Sequence, residues 1–203
     1  MKYLAIDTSN DYLTVVLNTG ERIETYFSAD GRVKHSLTLM PAVESLCEKT
    51  GFSLSGVDFF CAVVGPGSFT GIRIGVAAVN GFADAFSKPV LGVTAFDALS
   101  YNDSVGKRLA VIDAAHGNCY RCGYDNDAVC LAPAISDIGS VKDLAKDYRI
   151  ISYSEVKNLD TEKVDPVKGL INAIEKLNKN VSSNVDSLVP FYLRLSQAEE
   201  GRS

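Results

Sequence analysis

The spacing of apolar residues changes several times along this chain, and each change marks an element. Residues 3–6, 12–17 and 23–27 are short runs rich in β-branched and aromatic side chains. Turn formers at Ser9-Asn10 and Asn18-Thr19-Gly20 separate them, which predicts an antiparallel meander. The period then lengthens. Leu39, Val43, Leu46 and Cys47 recur at helical spacing, with Ser36 or Thr38 available as a cap and Pro41 near the first turns, where amide donors are free. A first helix ending near Gly51 follows from this. Residues 57–64 read as a short apolar strand. The glycine-rich segment GPGSFTGIRIG (65–75) leads from it into a long helix ending near Phe86, and 89–93 make another strand.

A second pass begins at Leu109, where LAVIDAA repeats the LAIDTS pattern of Leu4: a strand, an aspartate at its end, small residues, then another strand candidate at 118–124. Asp7 and Asp113 thus occupy matching places about half a chain apart, which suggests an internal duplication of a meander-plus-helices unit. The polar stretch 100–107 with Gly106 is the expected boundary, giving an N-terminal subdomain at 1–103 and a smaller C-terminal one at 104–203 with a flexible tail at 196–203. In the second half, helices are expected at 141–146 and 167–177, and a loop at 178–187.

Composition narrows the class. A chain of 203 residues, 46% of them hydrophobic, can bury a substantial core, and its 22% charged fraction is ordinary for a soluble protein. The N-terminus lacks the apolar run of a secretory signal, and no apolar stretch approaches the roughly 18 residues of a membrane span. Five scattered cysteines suit reduced thiols better than a disulfide framework, so a cytoplasmic location and no membrane contact are expected. A net charge of −5 argues against a protein that grips a nucleic-acid backbone unaided.

The glycine-rich segment is neither of the common phosphate loops. A Walker loop needs lysine beside Ser or Thr after its last glycine, and Gly71 is followed by Ile72-Arg73. The dinucleotide fingerprint fails because Gly71 falls one place late. Ser68 or Thr70 would cap the helix that follows. Gly75 and Gly81 inside that helix each forgo about 1 kcal/mol relative to alanine. Ile72, Val76, Val79, Ala83 and Phe86 form one apolar stripe, and Gly71, Gly75, Ala78, Phe82 and Ala85 a second. The second stripe suits close approach of another helix, from this chain or from a partner, and a partner is preferred because an internal helix layer normally leaves one solvated face.

Candidate metal chemistry is weak. His116, Cys119 and Cys122 have zinc-like spacing, but positions 119 and 122 of a strand point to opposite faces. His35 has Leu39 four residues on, where a metal-binding pair would place its second histidine.

Taken together, Asp7-Thr8-Ser9, His35-Ser36, the 65–75 segment, Val93-Thr94, Asp113-Ala114 and the closing Pro190-x-Tyr192-Leu193-Arg194 with Ser196-Gln197-Ala198-Glu199 resemble the TsaB family over nearly the whole chain. That family is required for making threonylcarbamoyladenosine in tRNA. The resemblance implies an α/β fold of the actin-like ATPase superfamily, with two related subdomains, and a non-catalytic subunit. Its implied partners are a TsaD-like catalytic subunit and a TsaE-like ATPase, or a second copy when alone; tRNA would be met only within the complex. No catalytic residue, metal or cofactor is implied for the isolated chain, with ATP and metal expected on the partner subunits. The family's interface helices map onto Leu39, Val43, Leu46, Gly71, Arg73, Gly75, Ala78 and Phe82. Asp7, Thr8, Ser9 and Asp113 would mark a vestigial nucleotide site. Ala115-His116 and Asn118-Cys119-Tyr120 depart from the family pattern, which weakens nucleotide binding at the second hairpin. Two alternatives stay open: a nucleotide-dependent phosphotransferase or ATPase using Asp7 and Asp113, and a metallopeptidase, which Leu39 disfavours.

Overall fold

The computed structural model describes residues 1–29, 34–181 and 187–194; the expected flexible tail at 196–203, its Ser-Gln-Ala-Glu motif and part of the 178–187 loop lie outside the described residues. The meander forms as its alternation predicts. Strands β1 (Tyr3–Asp7), β2 (Leu13–Asn18) and β3 (Ile23–Ser28) pair antiparallel in sequence order. Helix α1 (His35–Thr50) ends on Gly51 in the left-handed conformation. Its first turn departs from expectation: the cap position is Lys34, whose side chain caps nothing, rather than Ser36 or Thr38. Strand β4 (Phe59–Gly65) then lies parallel to β1, α2 (Phe69–Phe86) crosses over, and β5 (Val90–Thr94) lies parallel to β4. The sheet order is β3-β2-β1-β4-β5. Every residue of β1 and β4 is buried, as strands covered on both faces require, whereas edge strand β3 alternates between exposed and half-buried positions.

A short helix absent from the sequence reading, α3 (Ala95–Ser100), closes this half. Thr94 and Asp97 cap it reciprocally, the threonine hydroxyl accepting from the Asp97 amide and the Asp97 carboxylate from the Thr94 amide. The second half repeats the plan: β6 (Lys107–Asp113), β7 (Asn118–Asp125), β8 (Ala128–Asp137), α4 (Ile138–Leu144), β9 (Arg149–Ser152), β10 (Glu162–Lys163) and α5 (Pro166–Leu177). Its sheet runs β8-β7-β6-β9-β10, the same order and the same pairing directions as the first. Two mixed sheets built on one plan give the α/β architecture of the actin-like fold.

Three apolar layers hold the molecule together. One lies between α1, α2 and the first sheet, and contains Leu4, Ile6, Leu39, Val43, Leu46, Ile72 and Val76. A second fills the space between the sheets, where α3 and α5 sit with Tyr3, Cys61, Ala110, Tyr124 and Leu170. The third backs the outer face of the second sheet through Leu109, Val111, Cys119 and Val141. Cys119 and Cys122 therefore belong to different layers on opposite faces of β7, and burial pushes both thiols up to about 11. Neither can share an ion with the other.

The C-terminal part does not stay with its own half. Helix α5 packs against α3 so closely that a Cβ on Gly169 would lie 2.0 Å from the Ala98 carbonyl oxygen, and residues 187–194 run back over the first sheet. Among the described residues no helix is long and apolar enough to cross a membrane.

Candidate functional site

The turn after β1 and the segment 65–75 form one packed unit. Asp7 is 1% exposed, and its carboxylate accepts from the Ser9 amide (2.8 Å), the Ser9 hydroxyl (2.6 Å) and the Tyr12 hydroxyl (3.3 Å). Burial raises its pKa above the usual aspartate value; these hydrogen bonds and the nearby His35 only partly oppose that shift. The Thr8 hydroxyl and the Ser9 carbonyl face the other way, toward the glycines. The Thr8 hydroxyl donates to the Gly71 carbonyl at 2.7 Å, and the Ser68 amide donates to the Ser9 carbonyl at 2.7 Å. Ser68 caps α2 by accepting from the Gly71 amide.

These contacts explain why the segment is rich in glycine. A Cβ on Gly67 would stand 2.2 Å from the Ser9 carbonyl oxygen, one on Gly71 2.0 Å from that of Thr8, and one on Gly75 2.5 Å from the Thr8 hydroxyl. Each distance is far inside van der Waals contact, and at Gly67 and Gly71 the obstacle is backbone. The glycines let the start of α2 lie directly on the Asp7 turn.

Several residues of the expected interface are used inside this chain. Gly71 and Gly75 meet this chain's own turn, and Leu39, Val43 and Leu46 are 2–3% exposed in the layer under α1, so none of the five is available to a partner. Phe82 stacks on Phe60 with ring centroids 5.6 Å apart. Arg73 is exposed, but its Nε donates to the Tyr192 hydroxyl at 3.0 Å. The exposed residues of α2 are Thr70, Arg73, Ala77, Gly81, Asp84 and Ala85, with Ile74 and Ala78 half-buried beside them, so this face shares only Ala78 and Ala85 with the stripe chosen on size. On α1, Leu37 and Met40 are also open, 71% and 44% exposed. Gly81 is the informative member: a Cβ there would meet nothing within 4 Å, so no internal contact accounts for a helical glycine that forgoes about 1 kcal/mol. The signal that could have located this face was the charge-poor row at 70, 74, 77, 81 and 85.

The two aspartate turns face each other across a cavity of about 540 Å³, walled by Ser9, Asn10, Tyr12, Gly67 and Ser68 on one side and by Ile112, Asp113, Ala114 and Tyr120 on the other. Asp113 lines it. Asp7 does not, since it is sealed beneath Ser9 and Tyr12. The charged residues in the wall are Asp11, Asp113 and Glu155, all acidic, and among the described residues no lysine or arginine lines it. A triphosphate there would meet carboxylates without a cation from the described residues. Asp113 itself closes a small turn, its carboxylate accepting from the Ala115 amide at 2.8 Å, and it stands exposed. His35 Nε2 lies 2.8 Å from the Asn10 carbonyl, and Leu39 is buried in the core beneath it. Among the described residues no group of three or more His, Cys, Asp or Glu side chains is placed to hold a metal.

Comparison with known proteins places this geometry. The family model described as TsaD, tRNA N6-adenosine threonylcarbamoyltransferase, matches residues 31–145, more than half of the chain. The Bacillus subtilis tRNA threonylcarbamoyladenosine biosynthesis protein TsaB is 27% identical, with 98% of this chain and 96% of that protein aligned. Its Escherichia coli counterpart is 30% identical over 131 residues, 63% of this chain and 56% of that protein. A crystal structure from Pseudomonas aeruginosa, described as an uncharacterized protein similar to peptidase YeaZ, superposes with a TM-score of 0.78 at 25% identity, covering 95% of this chain and 99% of that one. The chain belongs to the TsaD family of threonylcarbamoyltransferase-related proteins, on its TsaB branch.

Proposed function

We propose that this chain is a non-catalytic subunit in the biosynthesis of threonylcarbamoyladenosine in tRNA, docking through the outward face of α1 and α2 on a TsaD-like catalytic subunit. The observation that carries this reading is Gly81, which meets nothing in this chain, beside exposed Ala77 and Ala85 and half-buried Ile74 and Ala78. Such a surface admits the backbone of another helix. A TsaE-like ATPase joins the assembly through the pair, a second copy of this chain takes the partner's place when it is absent, and tRNA meets this acidic chain only within the complex. The names of its relatives supply the pathway.

The cleft supports the non-catalytic part of the reading. Asp7 is committed to holding its own turn, and an acidic cavity wall repels polyphosphate. ATP and the catalytic metal then belong to the partner subunits. A nucleotide-dependent enzyme built on Asp7 and Asp113 would need Asp7 at the cavity surface, where it does not stand.

Reconstitution of the tRNA modification tests this directly: we expect product from the TsaD-like and TsaE-like subunits only when this chain is added, and none from this chain alone. Modification at full rate without it would overturn the proposal. Ala77→Arg should leave the fold intact and weaken association with the TsaD-like subunit by at least about tenfold, or about 1.4 kcal/mol. Melting of the isolated chain should not respond to millimolar ATP with magnesium, whereas a ligand at 100 times its dissociation constant would stabilise it by about 2.7 kcal/mol.

A further inference from the structure

Residues 187–194 lie along the flank of α2, touching the helix at two levels and the end of β4 at a third. At the middle of the helix, Asn80 pairs with the backbone of Leu188 in both directions: Nδ2 donates to the Leu188 carbonyl (3.0 Å), and the Leu188 amide donates to Oδ1 (2.8 Å). One turn before the cap, the Phe191 amide donates to the Val64 carbonyl of β4 at 2.7 Å. At the helix start, Tyr192 stacks on Phe69 with centroids 4.1 Å apart and planes 7° from parallel. The Arg73 guanidinium lies over both rings, 5.2 and 5.8 Å from their centroids, while its Nε holds the Tyr192 hydroxyl.

The rest of the fold makes room for this segment. A Cβ on Gly65 would lie 2.6 Å from the Phe191 carbonyl oxygen, and one on Gly92 3.3 Å from Leu188 Cδ2. The first glycine of the 65–75 segment therefore admits the C-terminal segment, just as Gly67 and Gly71 admit the Asp7 turn. Leu188, Phe191 and Tyr192 pack into the layer under α2, and Phe191 reaches the layer between the sheets as well. Residues 69, 73 and 80 form one row on the helix, immediately beside the open row at 70, 74, 77, 81 and 85.

We infer that residues 187–194 act as a strap that sets the position of α2, so that Asn80, Phe69, Arg73 and Tyr192 are positioning residues for the docking face. The Thr8 and Ser9 contacts pin the start of α2, but beyond them a helix held by apolar side chains can still tilt or roll; hydrogen bonds to Asn80 and the aromatic stack on Phe69 fix both. Because the strap belongs to the C-terminal part of the chain, the docking face is complete only when both halves have folded. The docking part of this inference rests on the reading given under Proposed function, whereas the placement of α2 does not.

The test uses the full chain and the TsaD-like subunit of the same organism, with hydrogen exchange across residues 69–80 and association measured well below the melting temperature. Tyr192→Ala and Asn80→Ala should each speed exchange in α2 and weaken association about tenfold, while Tyr192→Phe, which keeps the stack and loses one hydrogen bond, should weaken it by no more than about threefold. Unchanged exchange in both alanine variants overturns the inference. So does faster exchange with unchanged association when Ala77→Arg does break the complex, because the strap would then serve stability alone. Faster exchange, combined with an Ala77→Arg variant that still binds normally, upholds the placement of α2 and refutes the docking reading instead.

Discussion

The two halves share a strand order and differ in what crosses between their parallel strands. In the first half, β4 and β5 are joined through 65–75 and the eighteen-residue α2. In the second, β9 and β10 are four and two residues long, and 153–161 joins them without a helix. The consequence is visible at the aspartate turns. Asp7-Thr8-Ser9 is buried because α2 sits on it, and the Thr8 hydroxyl and the Ser9 carbonyl bond to the start of that helix. Asp113-Ala114-Ala115 has no helix above it and stays at the surface, with Ala115 and His116 both at positive φ, 60° and 54°. A duplicated sheet thus supplies two similar frames, and the crossover decides which one becomes the site.

Substitution should expose this asymmetry most sharply at Gly71. Gly71→Val drives a branched side chain into the Thr8 backbone and should destabilise the chain by about 3 kcal/mol or more, read from the midpoint of chemical unfolding. A loss below about 0.5 kcal/mol would mean that α2 does not depend on the Asp7 turn. On the opposite side of the same helix, Gly81→Ala should stabilise the isolated chain by about 1 kcal/mol, since the added methyl meets nothing. Destabilisation there would reveal an internal contact and remove the argument for an open face.

The smallest effect is electrostatic and separates the two aspartates. Folding raises the pKa of Asp7, so the folded state favours its protonated form. The stabilisation is therefore fully present below the ordinary aspartate value of 3.8 and is lost as pH rises through the raised folded value. Asp7→Asn should remove that dependence, and its melting temperature relative to wild type should rise between acid and neutral pH. Asp113→Asn, at an exposed turn, should change stability by no more than about 0.5 kcal/mol at neutral pH. Parallel curves for Asp7→Asn and wild type would show that Asp7 is not strained by burial.

Much of the first half was legible because its signals are local. Alternation in 3–6, 12–17 and 23–27, Gly51 after a helical run and Ser68 before one each depend on a few neighbouring residues, and each element appears where they place it. The opposed faces of Cys119 and Cys122 follow from strand geometry alone. Helix α3 and strands β8 and β9 were not legible. Six residues of α3 are too few to show a period, and β8 is an exposed edge strand interrupted by Pro133, with no continuous apolar face. The site divides in the same way. Composition marked 65–75 and both aspartates, but the small-residue stripe was assigned to a partner when two of its glycines serve the Asp7 turn.

By itself, the sequence determined the repeated strand–aspartate–strand plan, the long α2 with its glycines, and a family likeness spanning both halves, because all of these are written in residue types at short range. Only the tertiary structure decided which neighbour each glycine admits. Gly67 and Gly71 meet a turn some sixty residues earlier, Gly65 meets a carbonyl near the end of the chain, and Gly81 meets nothing. A missing side chain shows that something must come close or that a face is left open. What comes close is set by long-range packing, which no local pattern encodes.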